Sequence, residues 1–394
     1  MLPITHLMLR AGHILQLIVI ALLGLAVIAV HSADMRVGQG VNFDLKAMAT
    51  SRHLLHAVVA VIVMMAASRI NLRHAMRVRW YKNPIIGLLV VSLILVVVAM
   101  VPGIGLEING ARRWLRIGAG GYETNFQPSE LTKWAMVLVI AWWCAARHEW
   151  MPSFWKGLLP ALGMIAMACG LIVIEDLGTA ALIAVVGFIL LIAGSARIWQ
   201  LLMLVPPAVG FVVVAVAMKP HRIERLTTFL HPWDDPRGSG YQPIQSMLAI
   251  IEGGLTGSGL GNGIQKFGYL PTDTSDFLFA VICNETGIAG AAMVIGLYLA
   301  MVWTGLSIVK DCKDKFARLV ALGIVSTLGI QALINIAVVT VVVPTKGIAL
   351  PLLSAGGTGW IVTAFAIGLA ASLDAANHME ATDEVVQEPR LAVA

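Results

Sequence analysis

Apolar runs of roughly 17 to 25 residues, the length at which a helix crosses about 30 Å of hydrocarbon, recur from one end of this chain to the other. We read about ten: Ala11 to Val30, Leu54 to Ser68, Pro84 to Val101, Leu131 to Ala146, Gly157 to Ile174, Thr179 to Ala193, Ile198 to Met218, Phe277 to Val309, Leu319 to Val343 and Ile348 to Leu373. A soluble domain must cover its surface with charge. Here 58% of 394 residues are hydrophobic, only 12% are charged, and the mean hydropathy is +0.85. The expected fold is therefore all-α: a polytopic membrane bundle of about ten transmembrane helices, one domain over residues 1–394. The first run is longer than a signal-peptide core and lacks a small-residue cleavage site, so it is expected to remain as an anchor.

Basic residues in short loops set the orientation. Arg69, Arg73, Arg77, Arg79 and Lys82 lie between the second and third runs, which makes that loop cytoplasmic. Alternate counting puts both termini on the same side, together with the basic loop Lys310 to Arg318. Cys144, Cys169, Cys283 and Cys312 fall inside runs or in a short cytoplasmic loop, so no disulfide framework is expected. The opposite face is unexpectedly basic, with Arg112, Arg113 and Arg116 in one loop and Lys219, Arg222, Arg225, Arg237 and Lys266 in another. Two readings stand: solvated charge, which long loops tolerate, or a surface for an anionic ligand at the outer face.

Residues 219–276 form one large extracytoplasmic loop, of a length that is usually functional or disordered. Its segment YQPIQSMLAIIEGG alternates at helical spacing, with Ile244, Leu248 and Ile251 on one face. Such a helix would lie along the membrane or pack on the bundle. The next segment, GGLTGSGLGNG, is not a nucleotide loop, because it has no Gly-Lys-Ser/Thr ending, follows no strand and lies outside the cell. Tight turns are its expected use. Residues 374–394 read as an acidic, solvated, flexible cytoplasmic tail without chemistry.

No H-E-x-x-H, paired C-x-x-C or G-x-S-x-G occurs, and the histidines are scattered, so neither a metal-ligand cluster nor a nucleophile elbow is expected. Four other places stand out. NGARRWLRIG sets Arg112 and Arg113 beside Trp114; a planar guanidinium holds phosphate oxygens in pairs, or anchors the loop to lipid headgroups. QPSELTKWA puts Glu130 and Lys133 one helical turn apart, either as an intrahelical ion pair or as ligand contacts, with Ser129 as a candidate cap. IEDLGTA carries Glu175 and Asp176 at a turn between two runs, where solvation is the plainer reading. Finally, YLPTDTSDFLFAV holds Asp273 and Asp276 just before an apolar run, and Ser275 or Asp276 would cap the helix starting at Phe277. Capping leaves Glu285 unexplained. It lies roughly 13 Å further along at 1.5 Å per residue, where a charge needs a partner or a function.

Taken in order, these residues resemble the SEDS family (shape, elongation, division and sporulation), the FtsW and RodA peptidoglycan glycosyltransferases. The shared motifs are NGARRW, QPSELTK, DLGTA, HPWDDPRGSGYQPIQS, GLGNGIQKFGYLPTDTSDFLFAV and PTKGIALPLLSAGGTG, covering Asn109 to Gly359. PWDDPRGSGYQ and PTKG look more like the FtsW division branch than the RodA elongation branch. The resemblance implies polymerisation of lipid II into glycan strands at the outer face of the bacterial cytoplasmic membrane, for septal wall synthesis. It also implies a class B penicillin-binding protein as transpeptidase partner, other divisome membrane proteins, and no nucleic acid.

The essential acid implied by the family is the aspartate directly before the Phe-Leu-Phe run, here Asp276; Asp273 has no family counterpart. Transfer from a lipid pyrophosphate needs one general base and cations on the leaving group. Asp276 would be the base. Arg112, Arg113 and Lys133 would meet the pyrophosphate, with Glu130, Gln245 and Lys346 as further substrate-binding candidates and Asp176 and Glu285 as structural intramembrane charges. A divalent cation, Mg or Mn, bridging the pyrophosphate oxygens is a further expectation. A helix N-terminus lowers a carboxylate's pKa and a partly dry cavity raises it; both remain open for Asp276.

The sequence departs from the family pattern at Thr272, Thr274 and Ser275, where Glu, His and Thr are usual. It also has CNETG for GEELG, keeping Glu285 and Gly287, and SAGG with Ala355 for SYGG. Asp276 is retained, so a diverged but active member is expected. Two other classes compete. A transporter of the lipid-linked precursor would move lipid II across vesicles, although no inverted repeat is visible. A non-catalytic scaffold would support division with Asp276→Ala.

Overall fold

The computed structural model describes residues 10–34, 48–72, 82–108, 110–118, 123–218, 220–263, 275–345, 347–355 and 357–391. A segment in hydrocarbon has no water to pair with, and a helix closes its own backbone hydrogen bonds. Each apolar run accordingly contains helix. In chain order these are α1 (Ala11–Ala33), α2 (Arg52–Ala67), α3 (Pro84–Met100), α4 (Pro128–Ala146), α5 (Leu159–Ile172, entered through a π-helical turn) and α6 (Leu177–Ala193). There follow α7 (Ile198–Leu202), α8 (Val205–Ala217), α9 (Pro220–Leu230), α10 (Tyr241–Gly253), α11 (Leu278–Asp311), α12 (Lys315–Val339) and α13 (Thr358–Leu391). Among the described residues, six helical segments are long and apolar enough to cross a membrane, and α2, α3 and α6 are shorter apolar helices.

Local chemistry sets many of the starts. Ser51 caps α2 through Leu54 N–H, Asn83 caps α3 with Pro84 behind it, and Asp314 caps α12. The run from Ile198 is split into α7 and α8 ahead of Pro206 and Pro207, which have no N–H to continue a helix. The last run is helical only from Thr358. Its earlier part, from Ile348, is irregular and then turns, with Leu352 at φ 64°.

The core runs through α4, where every residue from Trp134 to Ala141 is buried against α3, α5, α6 and α12. Around it α2 lies along α13, α1 packs on α11 and α13, and α11 packs on α12. Membrane helices approach closely where small residues stand at the crossing. A Cβ at Gly368 would collide with the Met64 carbonyl, so that α13 position admits no side chain.

Several expectations change. Between α3 and α4 the chain forms a three-stranded antiparallel sheet, β1 (Gly105–Ile108), β2 (Ala111–Ile117) and β3 (Thr124–Phe126), in the order β1-β2-β3; the helical bundle thus carries a small β cap. On α10 the buried side is Ile244, Ser246, Ala249 and Gly253, while Ile251 is 73% exposed, so the stripe drawn through Ile244, Leu248 and Ile251 is rotated. This helix packs on α11. Asp374, placed in a solvated tail, is instead 2% exposed and accepts a hydrogen bond from Gly12 N–H at 3.0 Å. It therefore satisfies one of the free donors at the start of α1.

The glycine-rich segment also does more than turn. Ser258 and Gly259 donate their N–H groups to the carbonyls of Asn284 and Glu285, and Ile288 N–H donates to Gly254. These bonds are made where α11 breaks at Gly287, φ 64° and ψ −160°. A side chain at Gly257 would collide with the Glu285 carbonyl, so the two backbones meet only because that position is glycine.

Candidate active site

A cavity of about 280 Å³ lies at the end of the bundle that carries the sheet. Its wall combines the sheet, the starts of α4 and α6, the Ser275–Asp276 turn before α11, and the segment from Gly347 into α13.

Asp276 sits on that turn. Phe277 is the residue at the N-cap of α11 and no side chain caps it, so Asp276 is not spent on capping. No described residue donates a hydrogen bond to its carboxylate. Burial in the cavity wall pushes the carboxyl up to about 6; Arg113 pulls it down, Asp176 pushes it up, and Arg225 pulls it down. Of the two opposed effects left open by the sequence, desolvation wins. Facing the turn is Gly347, where a Cβ would lie 3.1 Å from Asp276 Oδ2 and 3.8 Å from Arg113 Nη2. The carboxylate and the guanidinium therefore converge over a glycine.

The two arginines meet different partners where β2 bulges: the pairing with β1 runs from Leu106 opposite Trp114 to Glu107 opposite Arg112 and skips Arg113. Arg113 lines the cavity, with Nη1 3.6 Å from Asp176 Oδ2 and Nε buried without a partner. Arg112 does not line it: its Nε pairs with Glu107 at 2.9 Å and its N–H donates to Glu175 at 2.9 Å. The expectation that both face one ligand is therefore corrected: of the two, only Arg113 lines the cavity. Asp176 is 6% exposed, which overturns the solvated reading. It caps α6 by accepting from Thr179 N–H at 3.0 Å and Thr179 Oγ1 at 2.8 Å, and it accepts from Gln127 Nε2 at 3.0 Å.

At the start of α4, Gln127 rather than Ser129 occupies the cap position, and Ser129 instead accepts from Gln127 Nε2. Glu130 lines the cavity. Lys133 does not: it is 2% exposed, and its ammonium donates to Glu130 at 2.7 Å and to Gln331 Oε1 at 2.9 Å. A buried ammonium needs such partners, so Lys133 acts on the cavity only by holding two of its wall residues. Gln331 and Asn335, one turn apart on α12, complete the frame. Gln331 Nε2 donates to the Ala349 carbonyl at 2.9 Å, and Asn335 Nδ2 donates to the carbonyls of Asp276 and Ile348, both at 2.8 Å. These amides were missed in the sequence, where the available signal was two polar residues at i and i+4 within an apolar run.

The remaining candidates lie elsewhere. Gln245 is half-buried on α10 and does not line the cavity. Glu285 is 2% exposed and both its oxygens accept from Ser32 Oγ at 2.7 Å, away from the cavity lining. Lys346, Asp273, Thr272, Thr274 and Lys266 fall outside the described residues. Among the described residues no three His, Cys, Asp or Glu side chains come together to hold a metal, and the Asp176 oxygens are engaged by Thr179, Gln127 and Arg113.

Fold and site together define a multi-pass membrane protein with a polar cavity at one end of the bundle, combining an arginine with two aspartates. The chain belongs to the FtsW/RodA/SpoVE family: the family model, described as cell cycle protein, matches residues 13–379. It is 36% identical over 357 residues to stage V sporulation protein E of Bacillus subtilis, covering 90% of this chain and 94% of that one. It is 37% identical over 363 residues to the probable peptidoglycan glycosyltransferase FtsW of Trichlorobacter lovleyi, covering 92% of each. Among solved structures, a chain of a peptidoglycan synthase complex that coordinates polymerization and crosslinking matches with a TM-score of 0.70 at 27% identity, over 91% of this chain and 96% of that one. The rod shape determining protein RodA of Thermus thermophilus shares the fold with a TM-score of 0.61 at 23% identity, over 91% of this chain and 95% of that one.

Proposed function

We infer that this protein is a peptidoglycan glycosyltransferase, the activity for which its FtsW relatives are named. We propose that it polymerises lipid II at the outer face of the bacterial cytoplasmic membrane, for septal wall synthesis, with Asp276 as general base. The observation that carries this reading is the convergence of Asp276 and Arg113 over Gly347 in one cavity.

The chemistry follows from those groups. A carboxylate titrating near 6 is ionised at neutral pH yet more basic than a solvated aspartate, which suits removal of a proton from the acceptor sugar hydroxyl. The oxygen attacks the anomeric carbon while the bond to the lipid pyrophosphate breaks. Negative charge grows on the leaving group, and a planar guanidinium held by Asp176 is placed to meet it. Any divalent cation used here would enter with the pyrophosphate.

The basic loops support the cytoplasmic placement of both termini, which turns the cavity end outward. The likeness to a chain of a peptidoglycan synthase complex supports a class B penicillin-binding protein as partner, and the FtsW names support a place among divisome membrane proteins. The test is to incubate purified wild type and Asp276→Ala, each with its transpeptidase, with lipid II and to look for glycan strands. Strands are expected from wild type alone. Strands from both would remove Asp276 from catalysis, and lipid II crossing vesicles without polymer would replace synthesis with transport.

A further inference from the structure

Asn335 is 1% exposed, and its Nδ2 joins two separate pieces of chain, the carbonyl of Asp276 ahead of α11 and that of Ile348 ahead of α13. An amide nitrogen carries two hydrogens and can satisfy two carbonyls at once. A carboxylate at this place would set oxygen against oxygen, and an aliphatic side chain would leave both carbonyls unmet by it. The joint has a cost, because Asn335 Oδ1 is buried with no hydrogen-bond partner. Packing alone gives no reason to keep such a group.

Its location supplies one. Ile348 directly follows Gly347, over which the Asp276 carboxylate and the Arg113 guanidinium converge. The clamp therefore sets the distance between the turn that bears the acid and the segment beneath it. One turn back, Gln331 ties the next residue, Ala349, to the same helix, so the Ile348–Ala349 peptide is held on α12 at both its carbonyls. The acid has no comparable side-chain tie, since its carboxylate accepts no hydrogen bond from a described residue.

We propose that Asn335 is a positioning residue, whose amide fixes the backbone of Asp276 against Gly347–Ile348 so that the carboxylate keeps its orientation toward the acceptor hydroxyl and Arg113. The proposal rests on Asp276 being the base.

The test uses the full-length protein with its transpeptidase and lipid II, with initial rates measured across the acid limb of the pH profile. The variants are Asn335→Leu, Asn335→Asp and Asn335→Ser, with Asp276→Ala as reference and melting in detergent as a measure of folding. Asn335→Leu and Asn335→Asp are expected to lower kcat about a hundredfold, the scale of a misplacement near 1 Å, with little change in KM. Their acid limb should move, because the carboxylate's surroundings change, and Asn335→Ser, which keeps a donor, should recover part of the rate. A dead Asp276→Ala beside an Asn335→Leu of normal kcat and unmoved acid limb would overturn this proposal alone. So would losses in all three variants that only track the fraction folded. An active Asp276→Ala would instead overturn the base assignment itself.

Discussion

Arg113 Nη1 lies 3.6 Å from Asp176 Oδ2, so a residue of the sheet is oriented by the residue that begins α6. Asp176 is itself held by Thr179 and Gln127 and is 6% exposed. A separation of 3.6 Å is longer than a hydrogen bond. The aspartate thus orients the guanidinium by charge, and the N–H groups of Arg113 remain able to turn to phosphate oxygens.

Arg113→Ala should lower the initial rate of polymerisation by about 10²–10³-fold, the usual scale for removing a donor that meets charge developing in the transition state. Arg113→Lys should recover little, because an ammonium cannot bond two oxygens in the same planar geometry. Arg112→Ala should stay within a few-fold of wild type, since its partly exposed pair with Glu107 is worth about 0–1 kcal/mol. Equal losses at the two positions would contradict the finding that Arg113 lines the cavity and Arg112 does not.

Gly347→Ala tests the convergence directly. The backbone at Gly347 is not in the left-handed region, so alanine introduces no conformational strain. Its methyl would stand 3.1 Å from Asp276 Oδ2 and must displace the carboxylate. The expected result is a fall in kcat on the order of 10²-fold with a melting temperature close to wild type; an unaffected rate would show that the space above Gly347 is not used.

Asp276 makes rate and stability depend on pH in opposite directions. Its carboxyl titrates at about 6 in the fold and at about 3.9 unfolded. The rate should rise as pH passes through about 6 and level off above it, as the base ionises. Stability moves the other way: the fold favours the neutral acid, so the penalty for ionising it is absent below the unfolded pKa, grows between the two values and is complete above about 6. The full penalty is about 2–3 kcal/mol. Asp276→Asn should therefore abolish strand formation yet raise the melting temperature at neutral pH, with the gain disappearing near the unfolded pKa. Scanning fluorimetry at the two pH values decides it, since a gain of equal size at both would rule out desolvation of Asp276 as the cause.

The membrane-spanning helices could be read in advance because hydrocarbon thickness dictates their length and composition, and α1, α6 and α11 begin and end within a few residues of their apolar runs. The sheet could not, since ARRWLRI carries no strict alternation of polar and apolar residues and is ordered by pairing with β1 and β3. Asp276 was legible through its motif, whereas its raised pKa required the cavity around it. Asp176 looked like an ordinary turn acid, and only the approach of Arg113 and Gln127 shows it as buried. Lys133 and Glu130 stand one turn apart in sequence and structure alike, but the second partner of Lys133, Gln331, is 198 residues away.

Chain order and composition were therefore enough to establish a multi-pass helical membrane protein, and its motifs were enough to single out Asp276 as the candidate acid. These properties are local, written in runs and motifs of neighbouring residues. Which arginine faces the acid, what holds Asp176, and how the Asp276 backbone is clamped were decided by tertiary packing. Asn335 meets Asp276 across 59 residues of chain, and such encounters depend on how close-packed helices bring distant segments together, a geometry set by side chains that complement one another only in the assembled bundle.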